Sequence, residues 1–240
     1  LKMLKDKYKV YAFSHKDLDI TDINLLSDTV NKIRPQYLIN AAAYTKVEDA
    51  EHNNRLCYEV NSNAVYNIAT ICKTCDTHLI HFSTDYVYNG EKKEPYIESD
   101  KASPLNTYGD SKNRADQFIM TSECQYTIFR TSWVYGTEGY NFVKSILSKA
   151  INQNELTVVS DQYGTPTSSL LIAQVINIFL LNLTKKTKDI KRNQVFNLCP
   201  SGFTTWYGFA CSIIKQASKI DTKYDIEVKP TTSSLSLIHI

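Results

Sequence analysis

Short apolar segments rich in β-prone residues alternate with segments of helical periodicity through the first half of this chain. This alternation is typical of a parallel sheet with helices on both of its faces. We therefore predict a doubly wound, Rossmann-like α/β fold, in which ligands bind at the carboxyl ends of the strands. The predicted strands are residues 9–13, 37–40, 78–83, 126–130 and 194–198, and the predicted helices are residues 21–33, 63–75, 111–122, 170–183 and 207–218.

Two of these helices have a more specific interpretation. Thr21 can cap the first of them, because a threonine hydroxyl accepts hydrogen bonds from free backbone N–H groups at a helix start. The apolar face of that helix would consist of Ile23, Leu26, Val30 and Ile33. The helix at 170–183 holds the longest apolar stretch of the chain, which predicts a buried helix.

The alternation weakens beyond about residue 155, which predicts two parts. We expect a dinucleotide-binding domain over residues 1–154 and a smaller, interleaved substrate-binding lobe over residues 155–235, while residues 236–240 resemble an unrelated tail. A dinucleotide-binding fold opens with a strand and a glycine-rich loop, but all seven glycines lie at or after Gly90. The first strand and its glycine loop are therefore expected to be missing from the sequence.

Composition argues against several classes of protein. The formal net charge of +2 offers no electrostatic basis for nucleic-acid binding. No run of about 18 apolar residues occurs, so we predict no membrane span. The six cysteines lack the spacing of a disulfide framework, which favours free thiols in a cytoplasmic protein.

A dense group of cysteines and histidines resembles a metal site only at first sight. Cys72, Cys75, His78 and His81 recur every three residues. The cysteines end a predicted helix and the histidines belong to the next strand, so the two pairs are too close to fold back on each other around zinc. We therefore predict no metal site and interpret the cysteines as packing thiols.

Tyr108 and Lys112 form the pair with the clearest chemistry. Four residues apart on a helix, they share one face, and a lysine ammonium near a phenol lowers its pKa from about 10. The spacing alone is not specific, but Thr84 follows the buried strand at 78–83 and lies at its ligand-binding end. A hydroxyl, a tyrosine and a lysine that converge at this edge suit proton transfer in carbonyl reduction.

Six blocks of sequence extend this pattern. They are NAAAYTKVEDAE from Asn40, STDYVY from Ser83, PLNTYGDSK from Pro104, RTSWVY from Arg130, DQYGTPT from Asp161 and TTWY from Thr204. Together they resemble the dTDP-4-dehydrorhamnose reductase family of the extended short-chain dehydrogenase/reductase superfamily, in family order over residues 10–234.

The resemblance implies roles for particular residues. Tyr108 would be the proton donor, Lys112 its partner and a ligand of the nicotinamide ribose, and Thr84 the third catalytic residue. Asp85 and Trp133 would contact the sugar nucleotide, Asp19 and Ile20 would flank the adenine, Ala43, Tyr44 and Thr45 would line the cofactor channel, and Asn61 would support the lysine through water. Trp133 as a plain core residue and Asp85 as a turn cap remain open alternatives.

The resemblance implies an oxidoreductase that reduces the 4-keto group of dTDP-4-dehydro-6-deoxy-L-mannose to dTDP-L-rhamnose, with NADPH or NADH. It is compatible with a homodimer. Related 4,6-dehydratases carry Asp-Glu after the threonine, whereas Tyr86 follows Asp85 here, which argues against elimination. An epimerase and a non-catalytic regulatory subunit of the methionine adenosyltransferase type remain alternatives.

The segment after the first predicted strand bears on the choice of cofactor. A carboxylate at the end of that strand binds the ribose 2′-hydroxyl of NAD, but here Ser14, His15 and Lys16 follow, and Asp17 comes only later. These side chains suit a 2′-phosphate, which predicts NADPH over NADH. The alternative is that Lys16 is a solvated loop lysine.

Overall fold

A computed structural model describes residues 2–184 and 193–235 of the chain. The strands are β1 (Tyr37–Asn40), β2 (His78–Thr84), β3 (Tyr126–Thr131), β4 (Val134–Tyr135), β5 (Glu155–Val159), β6 (Tyr163–Gly164), β7 (Thr167–Ser168), β8 (Gln194–Asn197), β9 (Thr204–Thr205) and β10 (Glu227–Thr231). The helices are α1 (Lys2–Lys5), α2 (Ile23–Ile33), α3 (Val47–His52), α4 (Asn54–Tyr58), α5 (Ala64–Thr74), α6 (Thr107–Thr121), α7 (Phe142–Asn152), α8 (Ser169–Thr184) and α9 (Trp206–Ser218). A π-helical turn, Glu59–Asn63, joins α4 to α5.

The chain packs as two units. Among the described residues, the first consists of residues 2–131, 177–184 and 193–198, and the second of residues 132–176 and 199–235. This division differs from the predicted boundary at residue 154, because α7 packs with α9 and β5 in the core of the second unit. The predicted tail at 236–240 lies outside the described residues.

The first unit is built on a parallel sheet with the strand order β1-β2-β3-β8. One face packs against α2, α5 and α6 through a core that includes Leu26, Ile68, Leu79, Ile119 and Ile128. On the other face, the ring of Phe179 in α8 contacts the rings of Phe129 and Phe196. Covered faces explain why β2 is buried along nearly its whole length, and they confirm the predicted parallel α/β class.

The predicted strand at residues 9–13 is wrong. The segment has no regular secondary structure, and Tyr11 and Phe13 are about half exposed, at 50% and 48%. A strand exists only if a neighbour pairs with its backbone N–H and C=O groups. None of the strands in the described part of the chain pairs with this segment, so its β-prone composition alone does not make a strand.

Helix α2 differs from its prediction at its start. Its cap is Asp22, whose Oδ1 accepts hydrogen bonds from the N–H groups of Asn24 and Leu25 at 3.1 and 3.0 Å. Thr21 does not cap the helix, because its N–H and hydroxyl both donate to Asp19. Leu26 and Val30 are buried as predicted, whereas Ile23 is exposed.

Helices α6 and α8 also depart from expectation. Helix α6 begins at Thr107, four residues before the predicted start at residue 111, because Asn106 caps it. Helix α8 has the predicted extent, but it is not wholly buried, since Leu170 and Ile178 are each 58% exposed. Among the described residues, no helix is both long and apolar enough to cross a bilayer.

The second unit has its own small core. Strands β5 and β10 pair in parallel, and Leu156 and Val158 pack with Ile146 of α7 and Ile214 of α9. Helix α9, predicted at residues 207–218, is confirmed and begins at Trp206. Two further short pairs, β4 with β7 and β6 with β9, complete the strand pairing of this unit within the described residues.

Candidate active site

Tyr108 lies in the first turn of α6, and three contacts fix that turn. The Oδ1 atom of Asn106 accepts a hydrogen bond from the N–H of Gly109 at 2.7 Å, which satisfies a free donor of the helix start. The carboxylate of Glu51 accepts hydrogen bonds from both the N–H and the hydroxyl of Thr107 at 2.8 Å. The backbone around Tyr108 is therefore held from both sides.

Gly109 brings the same turn close to the loop that follows β2. A Cβ atom at this position would lie 2.2 Å from the carbonyl oxygen of Tyr86, so only glycine fits here without displacing the backbone. The close approach places the ring of Tyr108 edge-on against the ring of Tyr86, with centroids 5.7 Å apart. Tyr108 is thus positioned by packing as well as by the helix cap.

The environment of Tyr108 favours a protonated phenol. Burial raises the pKa of Tyr108 well above its usual range, and the negative charge of Asp85 raises it further. A hydrogen bond with the Thr84 side chain acts in the opposite direction. A phenol that holds its proton in this way can act as an acid, and it becomes a base only if a cation is brought close to it.

Thr84 ends β2 and begins a short 3-10 turn, Asp85–Val87. Its hydroxyl accepts a hydrogen bond from the N–H of Tyr86 at 3.2 Å and donates one to Oδ1 of Asp85 at 3.1 Å. The contact with Tyr108 joins two of the predicted catalytic residues at the carboxyl end of β2. Asp85 follows directly, and burial raises the pKa of its carboxyl to about 6.

Lys112 is one turn further along α6 and almost completely buried, at 2% exposure. Its Nζ atom donates to the carbonyl oxygen of Phe82 at 2.6 Å and lies 3.1 Å from Nε2 of His81. Burial lowers the pKa of Lys112 to about 8, while the nearby carboxylate of Asp116 raises it. The two hydrogen-bonding contacts of Lys112 are therefore with β2 rather than with the phenol of Tyr108.

His81 is a part of the site that the sequence analysis missed. It was considered only as a metal ligand, yet its ring is completely buried between Lys112 and Asn40. Burial lowers the pKa of His81 well below its usual range, with the charge of Lys112 as a second cause. A histidine between the apolar residues Ile80 and Phe82 of a buried strand was the signal available in the sequence.

A buried ion pair lies one turn beyond Lys112. The Nε atom of Arg130 donates to Oδ2 of Asp116 at 3.0 Å, and Nη1 donates to the hydroxyl of Tyr88 at 2.9 Å. Arg130 and Asp116 have side-chain exposures of 6% and 0%. Burial raises the pKa of Asp116, and the charge of Arg130 opposes that shift. The pair ties α6 to β3 next to the site.

Asn61 is buried in the π-helical turn and supports the loop after β1. Its Oδ1 atom accepts the N–H of Tyr44 at 2.8 Å, and its Nδ2 atom donates to the carbonyl of Tyr44 at 3.0 Å. Nδ2 also lies 3.1 Å from the hydroxyl of Ser111, which contacts the buried thiol of Cys57. These contacts hold the backbone near Ala43 and Thr45, while support of Lys112 through water stays a prediction.

The other predicted cofactor residues occupy the loop before α2. The carboxylate of Asp19 accepts hydrogen bonds from the N–H and hydroxyl of Thr21 at 2.9 and 2.8 Å, and these bonds lower its pKa. Ile20 packs against the first core. Both contacts shape a turn, so the assignment of these residues to an adenine site stays a prediction.

Trp133 belongs to the second unit. Its indole stacks on that of Trp206, with centroids 3.6 Å apart and an angle of 12° between the rings. A Cβ atom on Gly164 would lie 2.4 Å from the Trp133 ring, so this glycine permits a close approach. The backbone φ of Trp133 is +46°, in the left-handed region that few bulky residues adopt. Strain of this kind is often found at functional sites.

Asp85→Asn is expected to raise the free energy of unfolding by about 1–2 kcal/mol at pH 7. The folded-state pKa of about 6 lies above the unfolded value of ~3.9, so the protonated carboxyl stabilises the fold below about pH 4. That contribution is lost as the pH rises through 6. A pKa shift of about two units corresponds to ~3 kcal/mol of unfolding free energy, and the partial exposure of Asp85 reduces that contribution.

Urea unfolding at pH 4 and at pH 7 measures this effect. The variant and the wild type should be equally stable at pH 4 and should differ at pH 7. Asp28→Asn, at an exposed position on α2, makes the same chemical change and should leave the pH dependence unaltered. Equal stability of Asp85→Asn and wild type at both pH values would contradict the burial of this charge.

The family profile described as the RmlD substrate binding domain matches residues 1–236 of the chain. This chain belongs to the RmlD family. The dTDP-4-dehydrorhamnose reductase of Escherichia coli K12 is 35% identical over 201 residues, which are 84% of this chain and 66% of that protein. The reductase of Aggregatibacter actinomycetemcomitans is 36% identical over 220 residues, which are 90% of this chain and 74% of that protein. The chain thus spans about two thirds of the first relative.

Solved structures agree with this membership. A dTDP-4-dehydrorhamnose reductase from Bacillus anthracis, crystallised in complex with NADP, superposes with a TM-score of 0.86 at 33% identity. The match covers 97% of this chain and 81% of that one. The resemblance to the RmlD family that six short motifs predicted is therefore confirmed, together with its fold.

Proposed function

We propose that the protein containing this chain reduces the 4-keto group of dTDP-4-dehydro-6-deoxy-L-mannose to give dTDP-L-rhamnose. The observation that carries the proposal is the convergence of Thr84, Tyr108 and Lys112 at the carboxyl end of β2, in a member of the RmlD family. The curated relatives with matching sequence are named for this activity. NADPH is the proposed reductant, and a related reductase was crystallised with NADP.

Tyr108 has the properties that the acid of this reaction needs. When bound, a nicotinamide cofactor would supply the hydride for C4, and the ketone oxygen would then need a proton from the protein. A phenol whose pKa is raised by burial is protonated at neutral pH and is ready to donate. The Thr84 hydroxyl, which donates to Asp85 in the structure, can turn to donate to the same oxygen and so fix the ketone in place.

The residues around Lys112 fit a nicotinamide ribose. Lys112 has hydrogen-bonding contacts with His81 and Phe82, and its nitrogen retains an N–H group for a sugar hydroxyl at the carboxyl end of β2. The loop after β1, held by Asn61, is the proposed channel wall with Ala43, Tyr44 and Thr45. Asp19 and Ile20 are proposed to flank the adenine, and Asp85 and Trp133 to contact the sugar nucleotide.

A direct assay separates this function from its alternatives. The full-length protein is mixed with dTDP-4-dehydro-6-deoxy-L-mannose and NADPH, and both NADPH oxidation and the sugar product are followed. Stoichiometric formation of dTDP-L-rhamnose is the expected result. A new sugar formed without net NADPH oxidation would indicate an epimerase. No turnover, together with binding to a methionine adenosyltransferase, would indicate a regulatory subunit.

Lys16→Glu is expected to lower the NADPH/NADH ratio of kcat/KM by about tenfold, equivalent to ~1.4 kcal/mol of phosphate binding. Lys16 is exposed, in the segment where a 2′-phosphate is proposed to bind. Ser14 no longer belongs to that proposal, because its N–H and hydroxyl donate to Asp17 at 2.8 and 2.6 Å. Lys16 is then the main residue of that segment that can bind the 2′-phosphate with a positive charge.

Steady-state kinetics with each cofactor tests this expectation. Lys32→Glu, an exposed lysine in the last turn of α2, makes the same charge reversal and should leave the ratio unchanged. A wild-type preference for NADH would overturn the choice of NADPH. An equal NADPH/NADH ratio of kcat/KM in the wild type and in Lys16→Glu would overturn it as well.

The same proposal includes a cellular location and an assembly state. We place the protein in the cytoplasm, because its proposed substrates are a nucleotide cofactor and a nucleotide sugar and the spacing of its cysteines is not that of a disulfide framework. A homodimer is the proposed assembly, and sedimentation equilibrium distinguishes it from a monomer.

A further inference from the structure

Ser111 is a buried polar residue to which the proposed reaction assigns no role. It has no exposed surface, and it directly precedes Lys112 in α6. Its Oγ atom donates a hydrogen bond to the main-chain carbonyl oxygen of Tyr108 at 2.7 Å. The same atom lies 3.1 Å from Nδ2 of Asn61, in the π-helical turn, and 3.3 Å from Sγ of Cys57, on α4. One hydroxyl therefore joins three segments of the first unit.

Asn61 extends this contact to the loop after β1, residues 41–46, which we call the cofactor loop. Its Oδ1 atom accepts from the N–H of Tyr44 at 2.8 Å, and its Nδ2 atom donates to the carbonyl of Tyr44 at 3.0 Å. Asn61 has no exposed surface either. It belongs to a single π-helical turn, and such turns are rare and frequent at functional sites. A buried chain of hydrogen bonds thus runs from Tyr44 through Asn61 and Ser111 to the carbonyl of Tyr108.

The buried chain complements the other contacts of the first turn of α6. Asn106 and Glu51 accept hydrogen bonds from N–H groups of that turn. Ser111 binds a carbonyl group, so the turn is fixed through both kinds of backbone group. Glu51 is exposed, whereas Ser111 and Asn61 are buried. Because a hydrogen bond in a low-dielectric interior is stronger than one in water, the link through Ser111 is the firmer connection to the cofactor loop.

We propose that Ser111 is a positioning residue that, through Asn61, holds the first turn of α6 in a fixed position relative to the cofactor loop. This position matters because reduction of a ketone needs a hydride at the carbon and a proton at the oxygen of the same bond. The Ser111 hydroxyl does not touch the reacting atoms, and its effect is exerted through the backbone of Tyr108. The consequence for catalysis rests on the proposed reductase function, whereas the placement of the Tyr108 ring does not.

Ser122 shows what the link to the cofactor loop adds. A serine in a helix can bind the carbonyl three residues earlier for purely local reasons. Ser122, at the end of the same helix, makes such a bond to the carbonyl of Ile119 at 2.7 Å and lies 3.1 Å from Sγ of Cys124. Like Ser111, it contacts a carbonyl and a thiol, but Ser111 also contacts a side-chain amide 50 residues away. Ser122 is therefore a matched control without the link.

Ser111→Ala in the full-length protein is expected to lower kcat by about tenfold, because misplacing a reacting group by 1 Å costs ~10²-fold and one lost hydrogen bond allows a smaller movement. The Kd for NADPH should change by less than about twofold, since Asn61 keeps its contacts with Tyr44. Ser111→Thr retains a hydroxyl that can bind the same carbonyl, and it should recover most of the loss. Ser122→Ala should leave kcat and Kd at their wild-type values.

The double variant Ser111→Ala with Asn61→Ala tests the path of the effect. Asn61→Ala alone releases both the cofactor loop and Ser111, so it should raise the Kd for NADPH and lower kcat. If Ser111 acts through Asn61, the double variant should have no lower kcat than Asn61→Ala. Losses of kcat that multiply in the double variant would show two independent effects and would contradict the proposed path.

The position of the Tyr108 ring is followed separately, by NMR of the full-length protein without substrate. With the tyrosine rings labelled with carbon-13, the spectrum of Tyr108→Phe identifies the signal of Tyr108. The ring lies edge-on against that of Tyr86, with centroids 5.7 Å apart, so its chemical shift reports small movements of the first turn. Ser111→Ala and Asn61→Ala should both shift or broaden this signal, whereas Ser122→Ala should leave it unchanged.

Four results would refute the positioning role of Ser111. They are a wild-type kcat in Ser111→Ala, an equal loss in Ser122→Ala, no recovery in Ser111→Thr, and a Tyr108 signal that Ser111→Ala leaves unchanged. Loss of NADPH binding in Ser111→Ala would indicate a general structural role and would refute it as well. Failure of the reductase function would look different, as absent turnover in the wild type while Ser111→Ala and Asn61→Ala still change the Tyr108 signal.

Discussion

Tyr108→Phe is expected to lower kcat for ketone reduction by about 10²–10⁴-fold, the usual contribution of a positioned general acid. The substitution removes only the hydroxyl, so the ring can keep its edge-on contact with Tyr86. The Kd for NADPH should change little, because the phenol is assigned to proton donation. Steady-state turnover and a cofactor titration of the full-length protein measure the two quantities.

Tyr58→Phe is the matched control for this loss. Tyr58 is another partly buried tyrosine of the first unit, and its hydroxyl donates to Asp110 at 2.6 Å, on the adjacent part of α6. Its replacement should leave kcat near the wild-type value. If Tyr108→Phe keeps more than about a third of wild-type turnover, the loss falls below the range of general acid catalysis and Tyr108 is not the proton donor.

Arg130→Met is expected to lower the free energy of unfolding of the first unit by about 3–5 kcal/mol. The change leaves the carboxylate of Asp116 buried without its partner, and it also removes a donor from the hydroxyl of Tyr88. An uncompensated charge in a buried site costs far more than a broken surface ion pair. Denaturant unfolding followed by amide hydrogen exchange in β2 and β3 reports on this unit.

Two further variants show whether the unpaired charge is the cause. Lys73→Met breaks the ion pair with Glu123, whose side chains are 52% and 76% exposed, and it should cost less than ~1 kcal/mol. The double variant Arg130→Met with Asp116→Leu removes both charges and should recover most of the loss. A cost below ~1 kcal/mol for Arg130→Met, or no recovery in the double variant, would contradict this explanation.

Local sequence signals predicted the strands of the sheet well where a neighbouring strand is present to pair with them. The strands expected at 37–40, 78–83, 126–130 and 194–198 are confirmed, because buried parallel strands are short apolar runs with polar ends. The segment at 9–13 carries the same local signal and is not a strand, since pairing depends on a neighbour that composition cannot reveal. The early start of α6 escaped notice because Asn106 and Gly109 resemble loop residues.

The sequence by itself determined the α/β class, the order of its elements and the placement of Thr84, Tyr108 and Lys112 near one sheet edge. These follow from periodicity and from the ends of helices and strands, which are properties of neighbouring residues. Membership of the RmlD family was equally visible in six short motifs.

Only the tertiary structure decided what the buried polar groups contact. His81 meets Lys112 across 31 residues and Asn40 across 41. Arg130 reaches Tyr88 across 42 residues, and Asn61 reaches Ser111 across 50. Such partners are chosen by strand register and by the packing of α6 on the sheet, and a pattern read along the chain contains neither. For that reason the sequence was enough to nominate candidate catalytic residues, while only the structure showed which buried polar groups surround them.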